Sequence, residues 1–179
     1  MAVCHPEADA LLLRAGVAFN SGLAVIGRVA MNGSIEIRDR GRLLAIIVSR
    51  RFCEPGIHFF TEGELSQQLA YMRHPAGKVI EPHFHNPVYR EVTYTEEVLM
   101  LKAGRLRVDF YDRLCNYLQS QVLEAGDVIL LIEGGHGFEV LEEVEMIEVK
   151  QGPYVGDSDK TRFHPAERGD ALPTKLQGE

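Results

Sequence analysis

Residues 77–104 read GKVIEPHFHNPVYREVTYTEEVLMLKAG, and the sequence Pro82-His83-Phe84-His85 within them is the sharpest local signal in the chain. The stretch Val79–His85 is predicted to form a short β-strand, in which residues two apart point to the same face. His83 and His85 would then present two imidazoles side by side. Imidazole nitrogen binds zinc, iron, nickel and copper, so the pair is a candidate for part of a metal site. Taken alone, two histidines at this spacing are better explained as a chance pair.

Short β-type segments separated by turn signals surround this stretch and predict an all-β protein. From about residue 34 they recur every 8–12 residues, which is typical of a sandwich or barrel. Within the predicted strands Leu43–Ser49 and Asp127–Ile132, the stretches Leu43–Val48 and Val128–Ile132 are apolar on both faces and need a cover beyond their own barrel. We expect the N-terminal region or a second subunit to supply it. Turns are predicted at Ala103-Gly104 and at Glu142-Glu143.

Composition excludes several classes of protein. With 179 residues, 45% of them hydrophobic and 25% charged, the chain is typical of a globular protein. Its formal net charge of −7 argues against nucleic-acid binding, because an acidic surface repels phosphates. Its apolar runs are far shorter than the ~20 residues of a membrane-spanning helix. Three cysteines without a C-x-x-C pattern predict idle thiols in a reducing compartment, and so a cytoplasmic location.

The spacing of glycine, histidine and glutamate resembles the two motifs of the cupin superfamily. The first family motif is G-x5-H-x-H-x3-4-E-x6-G, and its named positions are occupied here by Gly77, His83, His85, Glu97 and Gly104. The second is G-x5-P-x-G-x2-H-x3-N, whose first glycine and whose histidine correspond to Gly126 and His136. The segments Gly134–Glu139 and Glu148–Tyr154 are also similar to a little-characterised group of cupin metalloproteins.

The chain departs from the family pattern in both motifs. Eleven residues separate His85 from Glu97, where the family has three or four, so Glu91 and Glu96 compete for the place of the carboxylate. Glu97 is preferred because its spacing to Gly104 fits a strand that begins at the site and ends at a turn. In the second motif, one residue is missing between the glycine and the histidine, and isoleucine stands at the usual proline.

The resemblance implies a double-stranded β-helix, the cupin jelly-roll barrel, here with an N-terminal β extension. It implies a divalent metal ion, iron, manganese, nickel or zinc, and frequent assembly as a homodimer. The ligands carried over from the family are His83, His85, Glu97 and His136. We expect an N-terminal arm over residues 1–33, one cupin domain over 34–165 with its motif core at 77–140, and a flexible tail over 166–179.

Two kinds of function agree with such a metal site. A metal-dependent enzyme would act on a small polar substrate, sugar-like or a carboxylate, by isomerisation, epimerisation or dioxygenation. The alternative is non-catalytic binding or sensing of a small molecule, because fold likeness does not settle function. Candidates for a general base are Tyr94 and Glu139, and candidates for a substrate pocket are Tyr71, Arg73 and Arg90. For each of these five, a solvated loop, a surface position or structural pairing is the competing interpretation.

Overall fold

A computed structural model describes residues 28–29 and 33–165, and these residues form an all-β fold. The strands in chain order are β1 (Arg28–Val29), β2 (Ile35–Asp39), β3 (Arg42–Val48), β4 (Gly56–Phe59), β5 (Ala70–Arg73), β6 (Glu97–Tyr111), β7 (Tyr117–Glu124), β8 (Val128–Leu131) and β9 (Gly135–Lys150). A short 3-10 turn at Gly156–Asp159 follows. Within the described ranges, no helix is long and apolar enough to cross a membrane. The predicted tail over 166–179, and most of the predicted arm over 1–33, lie outside the described residues.

One antiparallel sheet contains every described strand except β4 and β5, which form a hairpin of their own. The sheet order is β1-β2-β3-β8-β6-β7, and β9 pairs with β6. The first part of β6 pairs with β8, and its last part pairs with β7. β9 follows β6 over its full length, from Glu97 opposite Lys150 to Tyr111 opposite Gly135. The sheet therefore curls along this long strand pair into a half-barrel.

The bend in β6 and β9 lies at Gly104. This residue has a φ of +82°, and a Cβ atom added to it would lie 1.9 Å from the backbone oxygen of Glu143. The predicted turns at Ala103-Gly104 and Glu142-Glu143 are wrong, because both strands continue through these positions. In place of turns, the pairing of β6 with β9 shifts register three times between Leu101 and Leu106, and these irregularities accommodate the bend.

Two clusters of buried apolar side chains lie on the two faces of β3 and β8. Ile47 belongs to the first cluster, together with Phe110 from β6. The neighbouring Ile46 points to the opposite face and belongs to the second cluster, with Phe60. The prediction that these strands are buried on both faces is confirmed. Among the described residues, the β4–β5 hairpin contributes to the cover of the second face through Tyr71. The expected cover by the N-terminal region or a second subunit stays a prediction.

The predicted strand Val79–His85 is wrong. Residues 74–95, named here the histidine segment, contain no strand, and all of them are exposed. Pro82 and Pro87 have no backbone N–H to offer a neighbouring strand, and each restricts the preceding residue to extended conformations. The segment therefore runs from β5 to β6 as an extended connection outside the sheet.

The cysteines match the prediction of idle thiols only in part. Cys115, in the turn after β6, is a free cysteine. Cys53 is disulfide-bonded, so the prediction is wrong at this residue. Cys4 lies outside the described residues. The cytoplasmic location inferred from the thiols stays a prediction.

Candidate metal site

Glu97 and His136 lie close together, although they belong to opposite ends of the β6–β9 strand pair. Glu97 is the first residue of β6, whereas His136 pairs with Phe110 near the last residue of the same strand. Because β6 and β9 bend together, the two ends of the strand pair approach each other. His136 Nε2 lies 3.3 Å from Glu97 Oε2. The fold thus brings one imidazole and one carboxylate to a common point.

The surroundings of Glu97 keep its carboxyl group ionised. The hydrogen bond with His136 lowers the pKa of Glu97 most strongly, and the positive charge of Lys150 lowers it further. Burial raises the pKa of Glu97, but the lowering effects together are larger, so its pKa lies below the ordinary value. Lys150 Nζ lies 3.6 Å from Glu97 Oε1, so each carboxylate oxygen has its own nitrogen partner. A negative charge is therefore available at this point at neutral pH.

This lowered pKa predicts an acid dependence of stability. A carboxyl group whose pKa is lower in the folded state stabilises the fold fully above its unfolded pKa, and the effect is lost as pH falls through the folded value. For Glu97 the loss should occur below about pH 4.5, the ordinary value for the group. Urea unfolding of metal-free protein between pH 6 and 3 should show a steeper loss for the wild type than for Glu97→Gln. If the free energy of unfolding fell equally with pH for both proteins, the lowered pKa of Glu97 in the folded state would be contradicted.

Glu96, which competes with Glu97 for the ligand role, has both carboxylate oxygens occupied by structural hydrogen bonds. Its side chain is buried, and it accepts hydrogen bonds from Ser66 Oγ at 2.8 Å and from the Gln67 N–H at 3.2 Å. Its own N–H donates to Gln151 Oε1 at 2.7 Å. Adjacent residues of an extended chain point to opposite sides. Glu96 therefore anchors the start of β6, while Glu97 faces His136.

The imidazoles of His83 and His85 are neighbours, as the sequence predicts. Their ring centroids lie 5.4 Å apart with the planes almost perpendicular. His83 Nδ1–H donates to the backbone oxygen of Glu81 at 2.9 Å, which leaves Nε2 as the nitrogen able to bind a metal. Glu91, the other competitor for the carboxylate position, is exposed in the same segment.

The described residues hold the four predicted ligands as two pairs, His83 with His85 and Glu97 with His136. No group of three or more His, Cys, Asp or Glu in residues 33–165 is arranged to hold a metal ion. The pair His83 and His85 lies in the histidine segment, which is exposed along its whole length, whereas Glu97 and His136 lie in the sheet. The four-ligand site therefore stays a prediction.

Two of the three predicted pocket residues lie on β5, and each contacts the segment that precedes β4. Tyr71 packs edge-on against Phe52 with ring centroids 4.9 Å apart. Arg73 donates a hydrogen bond to the backbone oxygen of Cys53. The third residue, Arg90, is exposed in the histidine segment, and its guanidinium lies 3.4 Å from the Val88 oxygen.

The two candidates for a general base also have partners. The guanidinium of Arg113 lies 5.4 Å from the centre of the Tyr94 ring. Tyr94 also lines a cavity of about 430 Å³ beside Glu96. Glu139 forms an ion pair with Arg107 across the β6–β9 strand pair. Neither candidate role is tested by these contacts.

Lys150, a residue of the C-terminal segment that the sequence offers as a possible anion binder, lies next to Glu97, a placement that the sequence did not predict. Its ammonium group lies 3.3 Å from Glu148 and 3.6 Å from both Glu97 and Asp159. The hydrogen bond with Glu148 is the main cause of its raised pKa. Predicting this placement from the sequence would have required the strand register, which sets Lys150, the last residue of β9, opposite Glu97, the first residue of β6.

The segment after β9 folds back beside the site. Its Phe163 ring packs edge-on against Tyr111, with centroids 5.3 Å apart. A Cβ atom added to Gly135, the residue before His136, would lie 2.8 Å from the Phe163 ring. Glycine at 135 thus lets this segment approach the start of β9.

Comparison with known proteins finds no match to this chain among family models, curated proteins or solved structures. The cupin resemblance therefore depends on the motif residues of the sequence. The all-β class and the curled antiparallel sheet agree with it at the level of architecture.

Proposed function

We propose that this chain is a cupin-like protein that binds a divalent metal ion through His83, His85, Glu97 and His136, and a small polar molecule beside it. The observation that carries the proposal is the 3.3 Å approach of His136 Nε2 to Glu97 Oε2 from opposite ends of β6 and β9. Glu97 lies at one end of the β6–β9 strand pair and His136 near the other end. The two side chains can meet only because the sheet curls.

The donor set suits a divalent ion of the first transition series. Imidazole nitrogen together with one carboxylate is a common ligand set for iron, manganese, nickel and zinc. Glu97 already holds its negative charge, and a metal would displace the hydrogen bond between the two side chains. A metal at His136 Nε2 would require that nitrogen to carry no hydrogen, as in the neutral imidazole with its N–H on Nδ1. One carboxylate with three neutral imidazoles partly neutralises a dication.

A bound metal with open positions would act as a Lewis acid or would bind substrate and O₂ together. The first chemistry agrees with isomerisation or epimerisation of a sugar-like compound or carboxylate, and the second with dioxygenation. Non-catalytic binding of the same class of molecule is the alternative. Turnover of sugars or carboxylates by the metal-loaded protein would separate the two.

The proposal predicts a metal stoichiometry. After chelation and reconstitution with iron(II), manganese, nickel or zinc, elemental analysis should find about one ion per chain for at least one metal. The double variant His83→Ala/His85→Ala should lose this ion, because half of its ligands are gone. His74→Ala removes an exposed histidine of the same segment and should keep it. A wild type that retains no metal, or a double variant that retains all of it, would disprove the proposal.

A further inference from the structure

A cavity of about 870 Å³ is lined by residues of β2, β3 and β7, and none of the four predicted metal ligands is among the described residues that line it. Apolar side chains line it, among them Ile35, Phe52 and Val122, together with Cys53. The cavity is therefore a feature separate from the Glu97–His136 pair.

Four charged residues in the cavity wall already have protein partners. Arg50 forms an ion pair with Glu124 at 2.6 Å, and Arg105 forms one with Glu142 at 3.1 Å. The carboxylate of Asp127 accepts hydrogen bonds from the backbone N–H groups of Arg50 and Glu124, both at 2.8 Å. A charged ligand would compete with these contacts, whereas an apolar cover gains from the burial of apolar surface.

The cysteine in this wall has a covalent partner. Cys53 is disulfide-bonded, whereas Cys115 is free. The sequence has three cysteines, so Cys4 is the one that remains as a partner within the same chain. The bonding of Cys53 thus selects one part of the chain, its first residues, as the cover of the cavity.

Contacts around Cys53 hold it in place. The ring of the preceding Phe52 packs edge-on against Phe60 and Tyr71, with centroids 5.1 and 4.9 Å apart. The guanidinium of Arg73 donates a hydrogen bond to the backbone oxygen of Cys53. A segment bonded to Cys53 is therefore attached at a fixed point of the cavity wall.

Residues 1–27, named here the N-terminal segment, suit an apolar cover. Their charged residues are Glu7, Asp9 and Arg14. They also contain the apolar run Leu11-Leu12-Leu13. The segment leads into β1, which pairs with β2 at the cavity-lining Ile35. Cys4 stands 24 positions before Arg28, a length of chain that spans up to about 80 Å when extended, so it can reach Cys53.

We propose that a disulfide between Cys4 and Cys53 holds the N-terminal segment over this cavity, and that reduction of the bond uncovers the cavity. In the reducing compartment that the sequence predicts, protein disulfides are mostly transient or redox-sensing. The bond would then act as a redox switch on access to the cavity. This inference does not depend on the proposed metal function.

The bond forms by exchange with a small-molecule disulfide such as oxidised glutathione. One cysteine thiolate attacks the small disulfide and releases a first thiol, and the second cysteine thiolate then displaces the other. Two electrons pass from the cysteines to the small disulfide, and the two protons of the cysteine thiols end on the two released thiols. An excess of small thiol drives the same exchange in reverse.

Peptide mapping tests the pairing. The full chain is incubated with oxidised glutathione, then denatured and alkylated without a reductant. We expect one alkylated cysteine per chain, Cys115, and a disulfide between the tryptic peptides that end at Arg14 and Arg73. Three alkylated cysteines, or Cys53 bonded to glutathione, to Cys115 or to a second chain, would each overturn the proposal.

Thermal unfolding tests whether the bond constrains the fold. It closes a loop of about 50 residues, so Cys4→Ser, Cys53→Ser and reduction of the wild type should each lower the melting temperature by about 5 °C or more. Cys115→Ser removes the free cysteine and should leave the melting temperature unchanged. A reductant should not lower the melting temperature of Cys4→Ser further. An equal effect of the reductant on the wild type and on Cys4→Ser would contradict the bond.

Anilinonaphthalene sulfonate, a fluorescent dye for apolar surface, tests the cover at a temperature where both redox states are folded. Its fluorescence should rise at least about threefold on reduction of the wild type, and Val122→Asp in the cavity wall should suppress this rise. Val140→Asp, at an exposed valine of β9, is the matched control and should preserve it. No rise on reduction, or a rise that the two variants affect equally, would overturn the cover.

Discussion

Glu97→Gln is expected to weaken divalent-metal binding by at least about a hundredfold, whereas Glu96→Gln should change metal affinity by no more than about threefold. An amide at position 97 is neutral and a poor ligand, so the only carboxylate of the predicted site would be lost. Glu96 is hydrogen-bonded to Ser66 and Gln67, and it does not face His136. Competition with a fluorescent chelator would measure both affinities.

The matched change at position 96 should affect stability instead. A glutamine there cannot accept both hydrogen bonds equally well, and an unsatisfied buried group costs about 1–3 kcal/mol. Urea unfolding of metal-free protein would measure this loss. If Glu96→Gln or Glu91→Gln abolished metal binding while Glu97→Gln preserved it, the choice of carboxylate would be wrong.

Gly104→Ala is expected to lower the free energy of unfolding by about 3 kcal/mol or more. The new Cβ would lie 1.9 Å from the backbone oxygen of Glu143, so the two long strands would have to separate at the bend. Gly41→Ala is the control, because Gly41 has a similar φ of +85° but no atom within 4 Å of the new Cβ. It should cost only about 1–2 kcal/mol of backbone strain.

Urea unfolding of both glycine variants distinguishes crowding from backbone strain. Equal losses at the two positions would show that the close approach of β6 and β9 at Gly104 is wrong. Because the bend brings Glu97 to His136, Gly104→Ala should also weaken metal binding under conditions where the variant is still folded.

The sequence predicts local strands well where one pattern dominates. The alternation over Arg105–Tyr111 is confirmed by the burial of Leu106, Val108 and Phe110. The apolar run in β3 correctly predicts burial on both faces. These predictions hold because side-chain direction alternates residue by residue along a strand and depends little on distant contacts.

Predictions fail where distant parts of the chain decide the structure. Gly104 and Glu142-Glu143 look like turns, but their position between two long paired strands makes them parts of a bend. Val79–His85 has the composition of a strand but no strand beside it in the described chain. Lys150 next to Glu97 follows from register alone. The family resemblance implies that Glu97 and His136 lie close together. The distance and the way the two residues meet could not be predicted, because they depend on the curl of the sheet.

X-ray absorption spectroscopy of the zinc-loaded protein tests the central claim most directly. We expect nitrogen and oxygen ligands at about 2.0–2.1 Å, with the outer-shell scattering of three imidazoles. The double variant His83→Ala/His85→Ala should retain no zinc after removal of the excess, and it should therefore give no such signal. Zinc bound through sulfur, or zinc with no imidazole scattering, would contradict a site built from His83, His85, Glu97 and His136.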